Sequence, residues 1–233
     1  MRQLFLYTSF VIMLQWKDID TVLLDMDGTL LDLHFDNHFW MEYLPKRYAE
    51  IKNLPYEQVK TDIDNMCHDL YGKLEWYCLD YWGQTLQIDI PKLKREIAHL
   101  IQMRDDVPDF LNALKKAGKR VVLVTNAHPD SLSLKVEQTA LAEYIDELIS
   151  THEFGVTKEQ IELWQQLQAK LGFDKKRTVF IDDSLPILDK AKEFGIKHLL
   201  SIYTPDSKKP RRDITQYPAI DSYDVLTKEL TQL

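Results

Sequence analysis

Short apolar runs that alternate with helical stretches constrain the fold of this chain most strongly. In the helical stretches the apolar residues recur at helical spacing, and Gly118, Gly172 and Gly195 follow them as predicted stops. The apolar runs have the length and composition of buried strands. They cover residues 21–24, 120–124, 148–150, 178–181 and 198–202. This alternation predicts an α/β fold built on a doubly wound parallel sheet.

Residues 34–103 break the alternation. They are rich in aromatic and charged residues, and Leu44, Tyr48 and Ile51 recur at helical spacing. We therefore expect a helical cap at 34–103, inserted into a core formed by 20–33 and 104–233. Within that core, residues 204–218 contain prolines, lysines and arginines and are typical of an exposed connection, before a last helix near 222–232.

Residues 1–19 are predicted to form an N-terminal extension. Leu4 to Leu14 is mostly apolar and follows Arg2, but it is too short to span a bilayer and no small-residue cleavage site follows it. Met13 offers a second start. We favour a segment upstream of the natural start, over an ordered extension or a targeting segment.

Composition limits the partners. With 233 residues the chain can hold one α/β domain with a smaller insertion. A formal net charge of −8 argues against general affinity for nucleic acid or for an anionic membrane. Cys67 and Cys78 fit neither a disulfide framework nor a zinc pattern, which favours a reducing, cytoplasmic location. The oligomeric state stays open.

Polar residues stand where three predicted strands end: Asp25, Thr125 and Asp182. Ligands of doubly wound sheets bind beyond the carboxyl ends of the strands, so we expect these side chains to share one crevice. Asp25 is the candidate nucleophile, because a carboxylate can form an acyl-phosphate and divide one displacement into two easier ones. Asp27 is the candidate general acid and base. The alternatives are an acid at a strand end and an Asp-Gly turn.

Further residues complete the predicted site. Thr125, Asn126 and Lys158 would hold the phosphoryl oxygens, together with backbone N–H groups around Met26 and Gly28. Asp182 and Asp183, with Asp25 and the backbone carbonyl of Asp27, would bind Mg²⁺. Each motif also has a structural interpretation: Thr-Asn starts many turns, a lysine is commonly solvated, and Asp183-Ser184 can cap a helix.

The insertion is expected to carry specificity. Its aromatic residues beside amides and carboxylates could stack on and hydrogen-bond a nucleobase. Asn37, Trp76 and Asp80 are the candidates, although the aromatics could equally form the small core of the insertion. His128 either lines the crevice or is a loop histidine before Pro129.

The ordered motifs Asp25-x-Asp27-Gly28-Thr29, Thr125, Lys158 and Asp182-Asp183 resemble those of the haloacid dehalogenase-like hydrolase superfamily. The resemblance implies a Rossmann-like core with a helical cap, and magnesium-dependent hydrolysis of phosphomonoesters through an aspartyl-phosphate. A dehalogenase would lack the second acid at Asp27. Four longer strings look like the bacterial GMP/IMP nucleotidase family: VLLDMDGTLLDLHFDNHFW at 22–40, WYCLDYW at 76–82, TNAHP at 125–129 and STHEFG at 150–155.

The sequence therefore predicts a 5′-nucleotidase for purine nucleoside monophosphates. A broad sugar-phosphate phosphatase is the main alternative, because a small sugar phosphate needs hydroxyl partners more than a flat apolar wall. A phosphomutase has no specific support. A non-catalytic binding protein is a remote alternative, because all the acids of the motifs and the lysine are present.

Overall fold

A computed structural model describes residues 14–233, so the proposed start at Met13 and most of the predicted extension lie outside the described residues. Its central sheet contains six parallel strands in the order β3-β2-β1-β4-β5-β6. The strands are β1 Thr21–Leu24, β2 Arg120–Thr125, β3 Glu147–Ser150, β4 Thr178–Ile181, β5 His198–Ile202 and β6 Ala219–Ile220. This order is that of a doubly wound sheet, and the predicted fold class is confirmed.

The strands are apolar throughout because helices cover both faces of the sheet. Successive side chains of a strand point to opposite faces. Leu23, in β1, packs with helices α9 (Ile161–Leu171) and α10 (Leu185–Phe194). Its neighbour Leu24 packs with the layer that contains α7 (Val107–Lys116) and α11 (Asp224–Leu230). Both leucines are fully buried, so each strand residue contributes to one of two apolar cores.

Six α-helices lie between β1 and α7. They are α1 His34–His38, α2 Leu44–Lys52, α3 Tyr56–Leu70, α4 Leu74–Tyr77, α5 Leu79–Leu86 and α6 Ile90–Glu96, with a π-helical segment Phe39–Tyr43 between α1 and α2. The limits of the insertion at 34 and 103 remain a prediction. The helical spacing of Leu44, Tyr48 and Ile51 corresponds to α2, in which Leu44 is buried and Ile51 is 49% exposed.

Two chain segments that join the insertion to the core run side by side. Asp32 donates its backbone N–H to Gln102, and Arg104 donates to Leu30. Helix α8 spans Pro129–Gln138, between β2 and β3. None of the helices within residues 14–233 is both long and apolar enough to cross a bilayer.

Residues 204–218 are not merely an exposed connection. Asp206, Ile214 and Tyr217 are buried. Ser201 of β5 donates its N–H to Pro218, and β6 follows directly to complete the sheet. β6 contains only two residues, which are too few to show a strand pattern in the sequence.

Candidate active site

The ends of three neighbouring strands place the polar residues together. β1 lies between β2 and β4, with Leu24 opposite both Leu123 and Ile181. Asp25 continues this ladder by donating its N–H to Ile181 at 3.0 Å. Asp25, Thr125 and Asp182 therefore stand at one edge of the sheet, and each is at least 95% buried.

Lys158 joins two of these strand ends. Its Nζ lies 2.5 Å from Asp25 Oδ1 and 2.7 Å from Asp182 Oδ2, in a side chain that is 1% exposed. Burial by itself lowers the pKa of Lys158, but Asp182 and Asp25 outweigh it and hold the pKa above its ordinary value. The lysine is thus a fixed cation directly beside the candidate nucleophile.

Asn126 holds the backbone of that lysine. Its Oδ1 accepts hydrogen bonds from Lys158 N at 2.9 Å and from Thr151 Oγ1 at 3.0 Å. Its Nδ2 donates to Glu159 Oε2, while Tyr77 of the insertion donates to the other oxygen of Glu159 at 2.6 Å. The amide therefore positions the Lys158 loop, and its direct contact with phosphate remains a prediction.

Three carboxylates form a group that could hold a metal ion. Ligand atoms of Asp25, Asp182 and Asp183 all lie within 4.8 Å of one another. Burial, with the neighbouring acids adding to it, raises the pKa of Asp182 to about 7 and that of Asp183 well above its ordinary value. Asp25 Oδ2 is buried and has no hydrogen-bond partner among residues 14–233. An acceptor left in this state is costly unless a ligand satisfies it.

The turn after Asp25 brings the backbone against this group. Gly28 has φ +84°, and its N–H donates to Leu31 O at 2.8 Å. A Cβ at this position would lie 2.9 Å from Asp183 Cγ and 3.0 Å from Pro205 Cβ. Glycine is therefore required here by both conformation and space. Met26 is fully buried, and its predicted contact with substrate remains a prediction.

Asp27 belongs to a second, partly buried cluster of charged residues. Its Oδ1 lies 2.6 Å from Lys135 Nζ, which is also 2.6 Å from Asp36 Oδ2. Lys94 of α6 pairs with Asp36 Oδ1 at 2.8 Å. Burial raises the pKa of Asp27 to about 7; Asp36 and Asp25 add to the rise and Lys135 opposes it. The predicted metal contact through the Asp27 backbone remains untested, and its carboxylate is not part of the three-carboxylate group.

The cap candidates have different surroundings. Asn37 Nδ2 donates to the buried Asp206 at 2.6 Å. Trp76 is half-buried and lies between Tyr71 and Tyr77, with ring centroids 5.0 and 4.7 Å away. Asp80 is largely exposed, and its Oδ2 lies 3.5 Å from His128 Nε2 of the core. These contacts are made with other protein groups and do not test substrate binding. The role of Asn37, Trp76 and Asp80 in specificity therefore remains a prediction.

Sequence reasoning missed several polar residues around the site. Asp36 forms ion pairs with Lys94 and Lys135, which lie 58 and 99 positions further along the chain. Arg212 donates to the backbone oxygen of Asp183 at 2.7 Å, and Asp206 binds Asn37. No local motif marks these residues. Of the missed residues, Asp36 alone lies within a string quoted above, the one at 22–40.

Several known proteins are similar to this chain in sequence or in structure. A model of the haloacid dehalogenase-like hydrolase family matches residues 19–195. The GMP/IMP nucleotidase YrfG of Escherichia coli (strain K12) is 42% identical over 215 residues, which cover 92% of this chain and 97% of that protein. The (S)-2-haloacid dehalogenase of Pseudomonas sp. (strain YL) is 22% identical, over 87% of this chain and 93% of that one. In structure, the chain is similar to a HAD phosphatase from Thermococcus onnurineus, with a TM-score of 0.75, 19% identity, and coverage of 91% of this chain and 98% of that one.

Proposed function

The chain belongs to the haloacid dehalogenase-like hydrolase family, and from this premise we propose that it is a magnesium-dependent 5′-nucleotidase for purine nucleoside monophosphates. Its products are nucleoside and phosphate. The observation that carries the phosphoryl chemistry is the contact of Lys158 with both Asp25 and Asp182, at 2.5 and 2.7 Å. The nucleotidase that is 42% identical over 92% of this chain supports GMP and IMP as the substrates.

Charge supports a divalent cation as the cofactor. The carboxylates of Asp25, Asp182 and Asp183 and the ammonium of Lys158 carry a formal charge of −2 when all are ionised. An all-oxygen set of this kind suits Mg²⁺. These three acids would hold the ion, which when bound supplies charge neutralisation to the phosphoryl oxygens.

In the first step, an oxygen of Asp25 attacks phosphorus and the bond from phosphorus to the 5′ oxygen breaks. The leaving 5′ oxygen takes a proton from Asp27, so the nucleoside departs neutral. A carboxyl with a pKa raised to about 7 holds a proton at neutral pH far more often than an ordinary aspartate does. Lys158 offsets the negative charge on Asp25 and on the transferring group.

In the second step, Asp27, now ionised, takes a proton from water. The water oxygen attacks phosphorus, and the acyl-phosphate bond breaks to restore Asp25 and release phosphate. Asp27 thus alternates between acid and base. Its position between the carboxylates and Lys135 allows both protonation states, since burial and Asp36 favour the neutral form while Lys135 favours the charged one.

We assign substrate selection to Asn37, Trp76 and Asp80 of the insertion. The flat ring of Trp76, flanked by Tyr71 and Tyr77, is suited to stacking on a purine. Tyr77 bonds to Glu159, directly beside Lys158, so this aromatic group adjoins the reaction centre. The two free thiols, Cys67 and Cys78, support a reducing compartment such as the cytoplasm.

Phosphate release from a panel tests the proposal: GMP, IMP, AMP, UMP, a hexose phosphate and an aryl phosphate, each with Mg²⁺ and with a chelator. We expect GMP and IMP to be preferred and all activity to be lost with the chelator. Equal rates across the panel would instead favour the broad sugar-phosphate phosphatase. If no phosphate is released from any compound, the result would contradict hydrolysis and would favour a phosphomutase or a binding protein instead.

A further inference from the structure

A cysteine and two histidines from separate segments meet beside the site. Ligand atoms of Cys78, His128 and His152 lie within 4.8 Å of one another. Cys78 directly precedes α5 in the insertion, His128 directly precedes α8, and His152 lies in the turn that follows β3. The mechanism proposed above uses none of these three side chains.

His152 contributes an unpartnered ring nitrogen to this cluster. Its Nε2 is buried and has no hydrogen-bond partner in the described part of the chain. Imidazole nitrogens are the commonest metal ligands in proteins.

His128 faces two carboxylates. Its Nε2 lies 3.5 Å from Asp80 Oδ2 in the insertion, and its Nδ1 lies 3.8 Å from Asp130 Oδ2. Nδ1 also accepts the backbone N–H of Asp130 at 3.3 Å, a long hydrogen bond.

Cys78 supplies the sulfur of the cluster. Its Sγ accepts the backbone N–H of Tyr81 at 3.5 Å, in the first turn of α5. A cysteine that binds a metal does so as the thiolate and releases its proton to solvent.

We propose that Cys78, His128 and His152 bind a zinc ion, with water in the fourth position. Thiolate and imidazole select zinc, whereas the carboxylates at Asp25 select magnesium, so the two sites hold different ions. Bonds to zinc are about 2.0–2.3 Å long. The ligand atoms must therefore draw closer than the 4.8 Å within which they now lie.

Zinc at this position ties the insertion to the core. Cys78 comes from the insertion, and His128 and His152 come from the core. An ion shared between them resists any separation of the two parts. If substrate entry requires that separation, bound zinc slows turnover; this consequence rests on the proposed function, whereas the metal site itself does not.

Cobalt substitution tests the site without any measurement of activity. Full-length protein without a polyhistidine tag is titrated with Co²⁺ in excess Mg²⁺. We expect one equivalent to produce a sulfur-to-cobalt charge-transfer band and the visible bands of tetrahedral cobalt, both removed by stoichiometric Zn²⁺. Cys78→Ser should abolish the charge-transfer band, and His152→Gln should weaken binding at least about tenfold.

Cys67→Ser is the matched control, because Cys67 is the other thiol of the insertion and lies on α3 outside the cluster. It should leave the cobalt spectrum unchanged. Absence of a thiolate band in the unmodified protein would overturn the proposal, as would a band that survives Cys78→Ser. Circular dichroism of each variant establishes that a lost band does not reflect unfolding.

Discussion

Lys135 Nζ lies 2.6 Å from Asp27 Oδ1 and equally close to Asp36, and the lysine is 1% exposed. This side chain connects the proposed general acid and base to the first helix of the insertion. Lys94, from the last helix of the insertion, approaches Asp36 from another direction, with its ammonium 4.5 Å from the centre of the Phe39 ring. Asp27 is therefore held by charges that depend on how the insertion packs.

Lys135→Met should reduce kcat by about 10- to 100-fold with little change in KM, a part of the usual contribution of acid–base catalysis. The lysine positions Asp27 and, in the proposed mechanism, does not contact substrate. Steady-state kinetics on GMP measure the effect. Lys116→Met, at an exposed lysine of α7, is the control and should keep full activity. An unchanged kcat in Lys135→Met would contradict the positioning role.

Asp36→Asn should lower the free energy of unfolding by about 3 kcal/mol at pH 7, because it leaves the buried Lys94 without a carboxylate and the buried Lys135 with Asp27 alone. Burial alone would raise the pKa of Asp36, but Lys135 and Lys94 outweigh it and hold the pKa well below its ordinary value. The stabilisation is thus complete above the unfolded pKa of about 4 and is lost as the pH falls further.

The difference in unfolding free energy between Asp36→Asn and the unmodified protein should consequently narrow below about pH 4. Urea unfolding at several pH values measures it. Asp64→Asn is the control, since Asp64 pairs with Lys60 on an exposed face and should cost under about 1 kcal/mol. If this difference in unfolding free energy does not depend on pH, the charge of the Asp36 carboxylate is not the source of the stabilisation.

Gly28→Ala should impair both stability and magnesium use. The positive φ alone costs about 1–2 kcal/mol in an L-residue. The added methyl group also meets Asp183 at 2.9 Å and must displace it, so the apparent affinity for Mg²⁺ should fall. Gly118→Ala is a close control: its φ is +66°, yet nothing lies within 4 Å of the added carbon. It should lose stability only; equal loss of activity in both variants would contradict the account.

Trp76→Ala and Asn37→Ala should reduce kcat/KM for GMP more than kcat/KM for an aryl phosphate. Both substrates carry the same phosphoryl group, and only GMP has a nucleobase whose contacts these substitutions would remove. Parallel kinetics on the two substrates measure the ratio. Asp62→Asn, on the exposed face of α3, should leave both values unchanged. Proportional losses on both substrates would reassign Trp76 and Asn37 to packing.

Much of the core could be predicted because its determinants are local. β4 begins and ends at Thr178 and Ile181 as predicted, since a strand buried on both faces must be apolar at every position. Gly172 and Gly195 end their helices with φ of +68° and +105°, conformations that favour glycine. The convergence of Asp25 and Asp182 follows from the topology of a parallel sheet.

The rest depends on contacts between distant segments. Asp36 looks like an ordinary helical acid until Lys94 and Lys135 are placed against it. Cys78 and His128, 50 positions apart, match no zinc pattern and meet only because the insertion packs on the core. Asp206 lies in a stretch whose prolines and charges suggest solvent exposure, yet it is 2% exposed. Residues of this kind meet only in the folded structure, and their positions follow no periodic pattern in the sequence.

The phosphorylation of Asp25 is the central claim, and chemical trapping tests it most directly. The enzyme is mixed briefly with GMP and Mg²⁺, quenched in acid and reduced with borohydride, which converts an aspartyl-phosphate to homoserine. We predict homoserine at position 25 by peptide mass spectrometry, and none when GMP is omitted. Modification at another residue, or an unmodified Asp25 in a sample that is actively turning over, would contradict the covalent mechanism.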